Sequence, residues 1–188
     1  MVQKNKVLIH SCCSICSGYP IQLLKELGYS PVVFFCNPNL DSLEEFDRRL
    51  ASQKKLCDFY NVELIVDEYC HSEYLDYVRG LENEPEKGLR CDKCIELRLI
   101  KTANLAKELG IFNITTSLVI SPHKNFDKIS DLGRKIAEKK DLTYLDINFR
   151  KNDGFLKTNR ISKDLELYRQ NYCGCEFAKK NINSIQAY

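Results

Sequence analysis

Short apolar runs alternate with amphipathic segments along the chain, and their spacing predicts the secondary structure. Runs rich in β-branched and aromatic residues predict five strands, at residues 7–9, 31–36, 62–66, 112–118 and 143–148. Apolar positions at three- and four-residue spacing predict helices at residues 15–27, 42–60, 71–79, 91–109, 129–137 and 162–168. In the helix over 42–60, the side expected to be buried carries Leu43, Phe46, Leu50, Leu56 and Phe59.

Strands that alternate with long helices through short connections favour right-handed β-α-β units and a mainly parallel sheet. We therefore expect a single α/β domain over residues 1–188, with a Rossmann-like sheet flanked by helices and an outline related to nucleotide-loop α/β hydrolase-like folds. Its C-terminal segment, residues 173–188, begins with a Cys-Gly-Cys element. The loop after the first strand has no glycine before Gly18, so neither a backbone cradle for phosphates nor nucleotide hydrolysis is expected.

Composition and the lengths of the apolar runs indicate a folded protein without a membrane span. Hydrophobic residues make up 44% of the chain and charged residues 29%, a balance typical of globular proteins. No apolar stretch approaches the roughly 18 residues that a membrane span needs. The first apolar run, residues 7–9, is also too short for the core of a signal peptide. We expect a cytoplasmic protein with no membrane partner.

Ten cysteines give the strongest chemical signal, because seven of them fall into three tight groups. The groups are Cys12-Cys13-x-x-Cys16, Cys91-x-x-Cys94 and Cys173-x-Cys175. In a reducing compartment, clustered cysteines indicate metal ligation or redox catalysis rather than structural disulfides. A Cys-x-x-Cys pair in the first turn of a helix puts two sulfurs on one face, as a tetrahedral thiolate site or a cluster corner requires.

The predicted sheet brings the candidate chemistry to one edge, because open parallel sheets bind ligands at the carboxyl ends of their strands. Cys12 and Cys13 follow the first strand, and His123 lies in the polar segment after the fourth. Spacing alone also allows a closed structural zinc site, whose four ligands would be Cys13, Cys16, Cys91 and Cys94.

Single residues leave further alternatives open. Cys173 and Cys175 either form a strained and readily reduced disulfide or act as extra metal ligands. His10, at the end of an apolar strand, is either a site residue or a hydrogen-bonded structural histidine.

The charge of the chain is unevenly distributed. The whole chain has a net charge of +2, whereas residues 38–87 carry −7 and residues 148–180 carry +4. The basic part either attracts a phosphate backbone or exposes solvated lysines on helix faces.

With these motifs in hand, the chain resembles the family of non-cobalamin epoxyqueuosine reductases. The resemblance covers nearly the whole chain, to about residue 180, and is carried by segments 10–16 (HSCCxxC), 35–39 (FCNPN), 90–98 (RCxxC, then ELR), 115–118 (TTSL), 121–125 (SPHKN), 149–151 (FRK) and 168–175 (YRQNYCGC). The last of these is long and specific. One departure is visible, since Ser14-Ile15 stand where the family pattern has a small residue and then proline.

The resemblance implies removal of the epoxide oxygen of epoxyqueuosine in the tRNA anticodon loop, which gives queuosine. This reduction takes two electrons and two protons and releases the oxygen as water, so it needs a metal centre and an external electron donor. The implied centre is a 4Fe-4S cluster, with or without an additional iron. Its implied ligands are Cys12, Cys13, Cys91 and Cys94, with Cys16 as a candidate extra ligand. By the same resemblance, Cys173 and Cys175 form a redox-active disulfide.

The implied tRNA substrate adds two sets of residues. Candidate catalytic or substrate-binding residues are His10, Asp92, His123 and Tyr172. Candidate tRNA-binding residues are Arg150, Lys151, Arg160 and Lys163, since cations hold the phosphates of an RNA loop while a base is splayed into a pocket.

Two other functional classes compete with this one. A zinc-stabilised RNA-binding module predicts a colourless protein without redox function. A metal-free thiol–disulfide oxidoreductase predicts dithiol exchange at Cys173 and Cys175 that survives chelation. The iron–sulfur hypothesis predicts a brown protein with an absorption band near roughly 400 nm that dithionite bleaches.

Overall fold

The structure is a computed structural model that describes residues 5–179. Its strands are β1 (Lys6–Ser11), β2 (Ser30–Phe35), β3 (Glu63–Val66), β4 (Asn113–Thr116) and β5 (Thr143–Tyr144). Its helices are α1 (Ser14–Glu26), α2 (Leu43–Tyr60), α3 (His71–Tyr77), α4 (Leu89–Leu109), α5 (Phe126–Glu138) and α6 (Gly154–Asp164). Of the expected C-terminal segment, residues 173–179 are described and residues 180–188 lie outside the described part.

The strands form one parallel sheet in the order β3-β2-β1-β4-β5. In the centre, Ser11 of β1 is in register with Phe35 of β2, and His10 is in register with Thr116 of β4. The chain builds outward from β1 to β3 and then crosses to the other side of β1, so the connections that leave β1 and β4 diverge. This divergence opens a crevice at the carboxyl ends of β1 and β4, where open α/β sheets bind ligands. The expected Rossmann-like, mainly parallel α/β architecture is confirmed.

Helices cover both faces of the sheet, which explains the continuously apolar sequence of its strands. Three consecutive residues of β1, Val7, Leu8 and Ile9, are fully buried. On one side α1 packs with α2 and α6, and on the other α4 packs with α3 and α5. Within residues 5–179, no helix is long and apolar enough to cross a membrane.

The fifth strand is shorter than the sequence predicts. Residues 143–148 were expected to be extended, but β5 ends at Tyr144. The hydroxyl of Thr115 donates a 3.0 Å hydrogen bond to the carbonyl of Leu145, which satisfies that carbonyl with a side chain and ends the ladder.

The last predicted helix is displaced toward the N-terminus. It spans residues 154–164, not 162–168. Asn152 and Asp153 have φ values of 54° and 60° and turn the chain into the helix, and Glu166 has a φ of 47° just after it. Gly154 lies so close to the carbonyl of Phe149 that a side chain would have no room there.

The buried face of α2 also differs from the one that its apolar residues predict. Leu43 and Phe59 were expected inside, yet they are 55% and 61% exposed. The face turned inward mixes polar and apolar residues, namely Glu45, Phe46, Arg49, Ser52, Gln53, Leu56 and Cys57. The prediction was wrong because these polar side chains contact the cysteine site and the C-terminal segment.

Candidate functional site

The first cysteine group lies at the carboxyl end of β1, where the chain turns into α1. Cys13 is the N-cap residue of α1, with extended φ and ψ of −166° and 154°, and Cys16 follows in the first helical turn. The turn brings the sulfurs of Cys12 and Cys13 to 3.8 Å. The three sulfurs of Cys12, Cys13 and Cys16 lie within 4.8 Å of one another. We call these three residues the cysteine triad.

Hydrogen bonding within the triad favours one thiolate. The pKa of Cys13 is held well below its usual range because Cys12, Cys16 and the amide of Gln170 all donate to its sulfur. The same bonds raise the pKa of Cys12 and of Cys16, which act as donors. The triad is therefore prepared to present an anionic sulfur to a cation.

A buried polar network holds the triad from behind. The hydroxyl of Ser17 donates to the carbonyl of Cys13 over 3.0 Å. The hydroxyl of Ser11 lies 2.6 Å from that of Ser17 and donates to the amide oxygen of Gln53 on α2 over 2.7 Å. All of these atoms are buried, so the network fixes the backbone of the turn that carries the sulfurs.

The second cysteine group lies at the start of α4, against the C-terminal segment. Cys91 and Cys94 sit in the first two turns of the helix, and the backbone N–H of Lys87 donates to the sulfur of Cys91 over 3.2 Å. Cys94 and Cys175 share a small apolar cluster against which Cys173 packs. Burial raises the pKa of Cys94 to about 11. Among the described residues, Cys91 and Cys94 lie outside the 4.8 Å group formed by the triad.

Two cations, the half-buried Lys124 and the buried Arg98, lie among the cysteine groups. The ammonium of Lys124 donates to the sulfur of Cys173 over 3.6 Å. Arg98, on α4, is 3% exposed and its Nε donates to the carbonyl of Cys94 over 3.1 Å. Burial alone would lower the pKa of Arg98, but the sulfurs of Cys94, Cys12 and Cys173 raise it. The guanidinium of Arg98 therefore lies near sulfurs of all three groups.

A cleft of about 230 Å³ opens beside the second group. Three lysines give the cleft a basic character, and its lining consists of Lys87, Cys91, Asp92, Ile95, His123, Lys124, Asn125, Lys128 and Ile129. The carboxylate of Asp92 pairs with the ammonium of Lys128 over 3.2 Å. Both Asp92 and His123, which the sequence nominated, therefore face the same cleft as the sulfur of Cys91.

The chain at residues 172–174, where the C-terminal segment begins, is fastened to α2 and to the loop after β2. Arg49 donates from its two Nη atoms to the carbonyls of Cys173 and Tyr172, over 3.2 and 3.3 Å. Its Nε pairs with Glu45 over 2.7 Å, and both side chains are buried. The N–H of Asp41 donates to the carbonyl of Gly174 over 2.9 Å. Cys173 and Cys175 are free thiols in this structure.

His10 and Tyr172 have their polar atoms engaged elsewhere. The Nε2 of His10 donates to the carbonyl of Cys36 over 3.1 Å, so Nδ1 accepts from the hydroxyl of Thr116 over 2.9 Å. Burial, together with the charge of Arg98, lowers the pKa of His10 to about 4. Burial, and donation of its hydroxyl to Asp41 over 2.7 Å, raise the pKa of Tyr172. His10 thus ties β1 to its two neighbouring strands as a neutral side chain.

The nominated cations lie on and beside α6. The guanidinium of Arg150 sits 5.9 Å above the ring of Phe126, the first residue of α5. Lys151, Arg160 and Lys163 are exposed. Of the four, only Arg150 is thereby placed near the cleft, because Phe126 follows Asn125 of the cleft lining.

Several site residues were missed by sequence reasoning, notably Arg49, Gln53 and Arg98. The available signal was the helical spacing of Glu45, Arg49, Ser52 and Gln53, which marks one polar face of α2. The sequence prediction for this helix rested on its apolar residues and did not use that face, since charged residues are rarely buried without partners. The carbonyl of Cys173, which accepts from Arg49, belongs to a residue 124 positions away, so no local pattern reveals this contact.

The donor set fits a thiolate-bound metal centre. Thiolates are the soft ligands that zinc and iron–sulfur clusters take. Two thiolates on one tetrahedral metal, at metal–sulfur distances of about 2.3 Å, lie about 3.8 Å apart, and the sulfurs of Cys12 and Cys13 are 3.8 Å apart. The triad thus offers three of the four ligands that a tetrahedral thiolate site needs.

Sequence comparisons identify relatives along nearly the whole chain. Residues 7–181 match the family described as epoxyqueuosine reductase QueH. The epoxyqueuosine reductase of Acinetobacter baylyi is 37% identical over 180 residues, which cover 95% of this chain and 83% of the relative. That of Streptococcus pyogenes is 37% identical over 183 residues, covering 94% and 71%. That of Thermotoga maritima is 33% identical over 175 residues, covering 92% and 89%.

Two solved structures share the fold at low sequence identity. The U34-tRNA thiolase NcsA of Methanococcus maripaludis, solved with its [4Fe-4S] cluster, superposes with a TM-score of 0.55 at 15% identity, over 99% of this chain and 66% of that one. A predicted subunit of a tRNA methyltransferase from Methanocaldococcus jannaschii gives 0.54 at 12% identity, over 86% and 88%.

Proposed function

The chain belongs to the epoxyqueuosine reductase QueH family, and on that basis we propose that it reduces epoxyqueuosine to queuosine in tRNA. The observation that carries the proposal is the convergence of three thiols, within 4.8 Å, at the carboxyl end of the central strand. A site for redox chemistry thus lies where this class of fold binds its ligands. The nucleotide that is reduced lies in the anticodon loop of the tRNA.

The reaction converts an epoxide into an alkene. Both carbon–oxygen bonds of the epoxide break, two electrons and two protons enter, and the oxygen leaves as water. An iron–sulfur centre held by these cysteines would supply the electrons and a Lewis acid for the epoxide oxygen. A tRNA-modifying enzyme of the same fold, the thiolase NcsA, carries a [4Fe-4S] cluster, which supports the same cofactor here.

For the ligands we propose Cys12, Cys13, Cys91 and Cys94 as the primary set. The sulfur-to-sulfur geometry adds Cys16, because it lies with Cys12 and Cys13 in one compact group.

We propose Cys173 and Cys175 as a redox-active pair beside this centre. They are free thiols, and Lys124 donates to the sulfur of Cys173. A positive charge next to a sulfur favours the thiolate, which is the reactive form. As the dithiol, the pair would deliver two electrons and become a disulfide, and an external donor would then reduce that disulfide back to two thiols.

We assign the basic cleft to the modified nucleotide. Lysines 87, 124 and 128 would bind a phosphate of the nucleotide. Asp92 and His123 line the same cleft and would contact the part of the nucleotide that carries the epoxide. The cations beyond it, Arg150, Lys151, Arg160 and Lys163, suit the phosphates on either side. Ten thiols and a tRNA substrate both fit a cytoplasmic setting.

The test is anaerobic purification followed by iron, sulfide and zinc analysis and incubation with tRNA that contains epoxyqueuosine, dithionite serving as reductant. We expect stoichiometric iron and sulfide, bleaching of the charge-transfer band and the appearance of queuosine in digested tRNA. Stoichiometric zinc without sulfide would instead indicate an RNA-binding module. Dithiol exchange that survives chelation, without queuosine formation, would indicate a thiol–disulfide oxidoreductase.

A further inference from the structure

Two neighbouring apolar side chains are exposed on α6, at the centre of the basic part of the chain. Phe155 is 37% exposed and Leu156 is 62% exposed. They occupy the first turn of the helix, immediately after the two left-handed residues that begin it. An aromatic ring held on a helix and turned to solvent presents a rigid flat surface.

Four cations lie near this pair in the sequence. Lys151 precedes it, and Lys157, Arg160 and Lys163 follow on α6. Leu156, Arg160 and Lys163 are spaced by four and then three residues, so they share one exposed helix face. The ammonium of Lys157 lies 4.9 Å from the centroid of the Tyr19 ring on α1. The acidic residues of this stretch, Asp153 and Asp164, lie at the two ends of the helix. Positive charge therefore follows Leu156 along its face of the helix.

α6 is also fastened to the helix that carries the cysteine triad. The hydroxyl of Thr158 donates to the carbonyl of Ile15, the residue before Cys16, and accepts from the N–H of Tyr19. Gly18 leaves room for the side chain of Ile161, so the two helices approach closely. A ligand held on α6 is therefore held in a constant position relative to the triad.

We propose that Phe155 and Leu156 form a stacking platform for an unpaired base of an RNA loop, whose flanking phosphates bind Lys151, Lys157, Arg160 and Lys163. The proposal rests on the proposed function, since it assigns to the tRNA a second contact outside the catalytic cleft. Aromatic side chains among cations are the usual means of holding single-stranded nucleic acid, because every base has a face that stacks.

Charge and size favour RNA over a protein at this surface. A stable protein interface buries on the order of 1,000 Å² or more, which two side chains cannot supply. Desolvating four neighbouring cations would also disfavour an apolar partner, whereas an RNA loop offers both flat bases and phosphates. A paired stem offers phosphates but no free base face, so the platform distinguishes loop from duplex.

The test compares two RNA probes, an anticodon stem-loop of tRNA and a blunt duplex with the same number of phosphates. Replacing Phe155→Ala is expected to raise the Kd for the stem-loop at least about fivefold, which corresponds to about 1 kcal/mol, and to leave the Kd for the duplex unchanged. Phe155→Trp is expected to retain stem-loop binding, and Phe155→Leu to fall between them, because leucine keeps apolar area without the aromatic face.

The matched control is Phe112→Ala. Phe112 is 57% exposed but directly precedes β4, at the amino ends of the strands and away from α6, so its replacement should change neither Kd. Urea unfolding of each variant detects a loss of stability, and sedimentation detects a change in self-association. A variant that is unchanged in both measurements has lost only its contact with RNA.

The proposal is overturned if Phe155→Ala and Phe155→Leu bind the stem-loop like the unaltered chain, if both probes weaken equally, or if the substitution acts by dissociating a dimer. Activity of the unaltered chain on epoxyqueuosine in tRNA is measured separately. If Phe155→Ala loses its selectivity for the stem-loop while the unaltered chain has no reductase activity, the proposed function is refuted and the stacking platform is still supported.

Discussion

Arg49 donates a hydrogen bond to the carbonyl of Cys173, a residue 124 positions later in the chain. The contact attaches the Cys-Gly-Cys element to α2, the same helix whose Gln53 holds the turn of the cysteine triad. One face of α2 therefore sets the position of two cysteine groups at once. A change in that face should alter both stability and the environment of the thiols.

The first prediction concerns this guanidinium. Arg49→Met removes the donors to Tyr172 and Cys173 and leaves the buried carboxylate of Glu45 without its cation. We expect the free energy of unfolding, from urea titration, to fall by about 3 to 5 kcal/mol, as when one partner of a buried pair is lost. Alkylation of Cys173 in the apoprotein should become faster, because its backbone is no longer held.

The neighbouring residue provides the control. Arg48 pairs with Glu44 at the same helical spacing, but both side chains are largely exposed. Arg48→Met should leave stability and alkylation nearly unchanged, since exposed pairs contribute little. If Arg48→Met and Arg49→Met behaved alike, the attachment of the C-terminal segment by Arg49 would be refuted.

The second prediction concerns Gly174, between the two cysteines of the C-terminal pair. Its φ of +118° disfavours any side chain, and a Cβ there would run into Leu40 and the guanidinium of Arg49. Gly80 has a φ of +85° with nothing within 4 Å of the position of a Cβ. Gly80→Ala should therefore cost about 1 kcal/mol from backbone strain alone, whereas Gly174→Ala should cost a further 1 to 3 kcal/mol or so from overpacking.

Urea unfolding of the two alanine variants measures the difference directly. Equal losses of stability would mean that Gly174 serves only its backbone conformation and that the close packing against Leu40 is unimportant.

The architecture was predictable because local patterns encode it. Strands such as β1 are apolar at every position, and short connections between strands and helices leave few topologies open. That topology predicts a site at the carboxyl ends of the strands, and the cysteine motif after the first strand lies at that edge. Local patterns also encode the helix over Ser14–Glu26. The close approach of the sulfur of Cys16 to those of Cys12 and Cys13 depends in addition on the tight turn after Ser11.

What the sequence did not reveal depends on contacts between distant residues. Arg49 and Gln53 look like solvent-facing residues of a helix until the C-terminal segment and the triad are placed against them. The bend after Phe149 depends on the left-handed Asn152 and Asp153, which ordinary helical spacing does not indicate. In each case a tertiary contact or a special backbone conformation overrides the local pattern.

The third prediction separates the roles of the cysteines. Because Cys16 lies with Cys12 and Cys13 within 4.8 Å, Cys16→Ser should lower the iron and sulfide content of anaerobically reconstituted protein as strongly as Cys12→Ser. Cys70, which stands outside the three groups, provides the control, and Cys70→Ser should keep full iron and sulfide content. Full iron content in Cys16→Ser would remove Cys16 from the ligand set and leave it a packing role.

The fourth prediction concerns the charge of Arg98, which acts on sulfurs of all three cysteine groups. Reduction adds a negative charge to the centre, and a nearby buried cation stabilises that charge. Arg98→Gln should therefore make the midpoint potential more negative, by on the order of 1 kcal/mol per electron or roughly 40 mV at the effective dielectric constant of a protein interior. Arg98→Lys, which keeps the charge, should shift it less.

Arg90 supplies the matched control for Arg98, because it is equally buried and lies on the same helix. Its guanidinium contacts the carbonyls of Leu81 and Glu82 and the ring of Phe177. Arg90→Gln should therefore lower the free energy of unfolding without moving the midpoint potential in a spectroelectrochemical titration. A potential that shifts equally in both variants would mean that it responds to general loosening of α4, and the electrostatic role of Arg98 would be refuted.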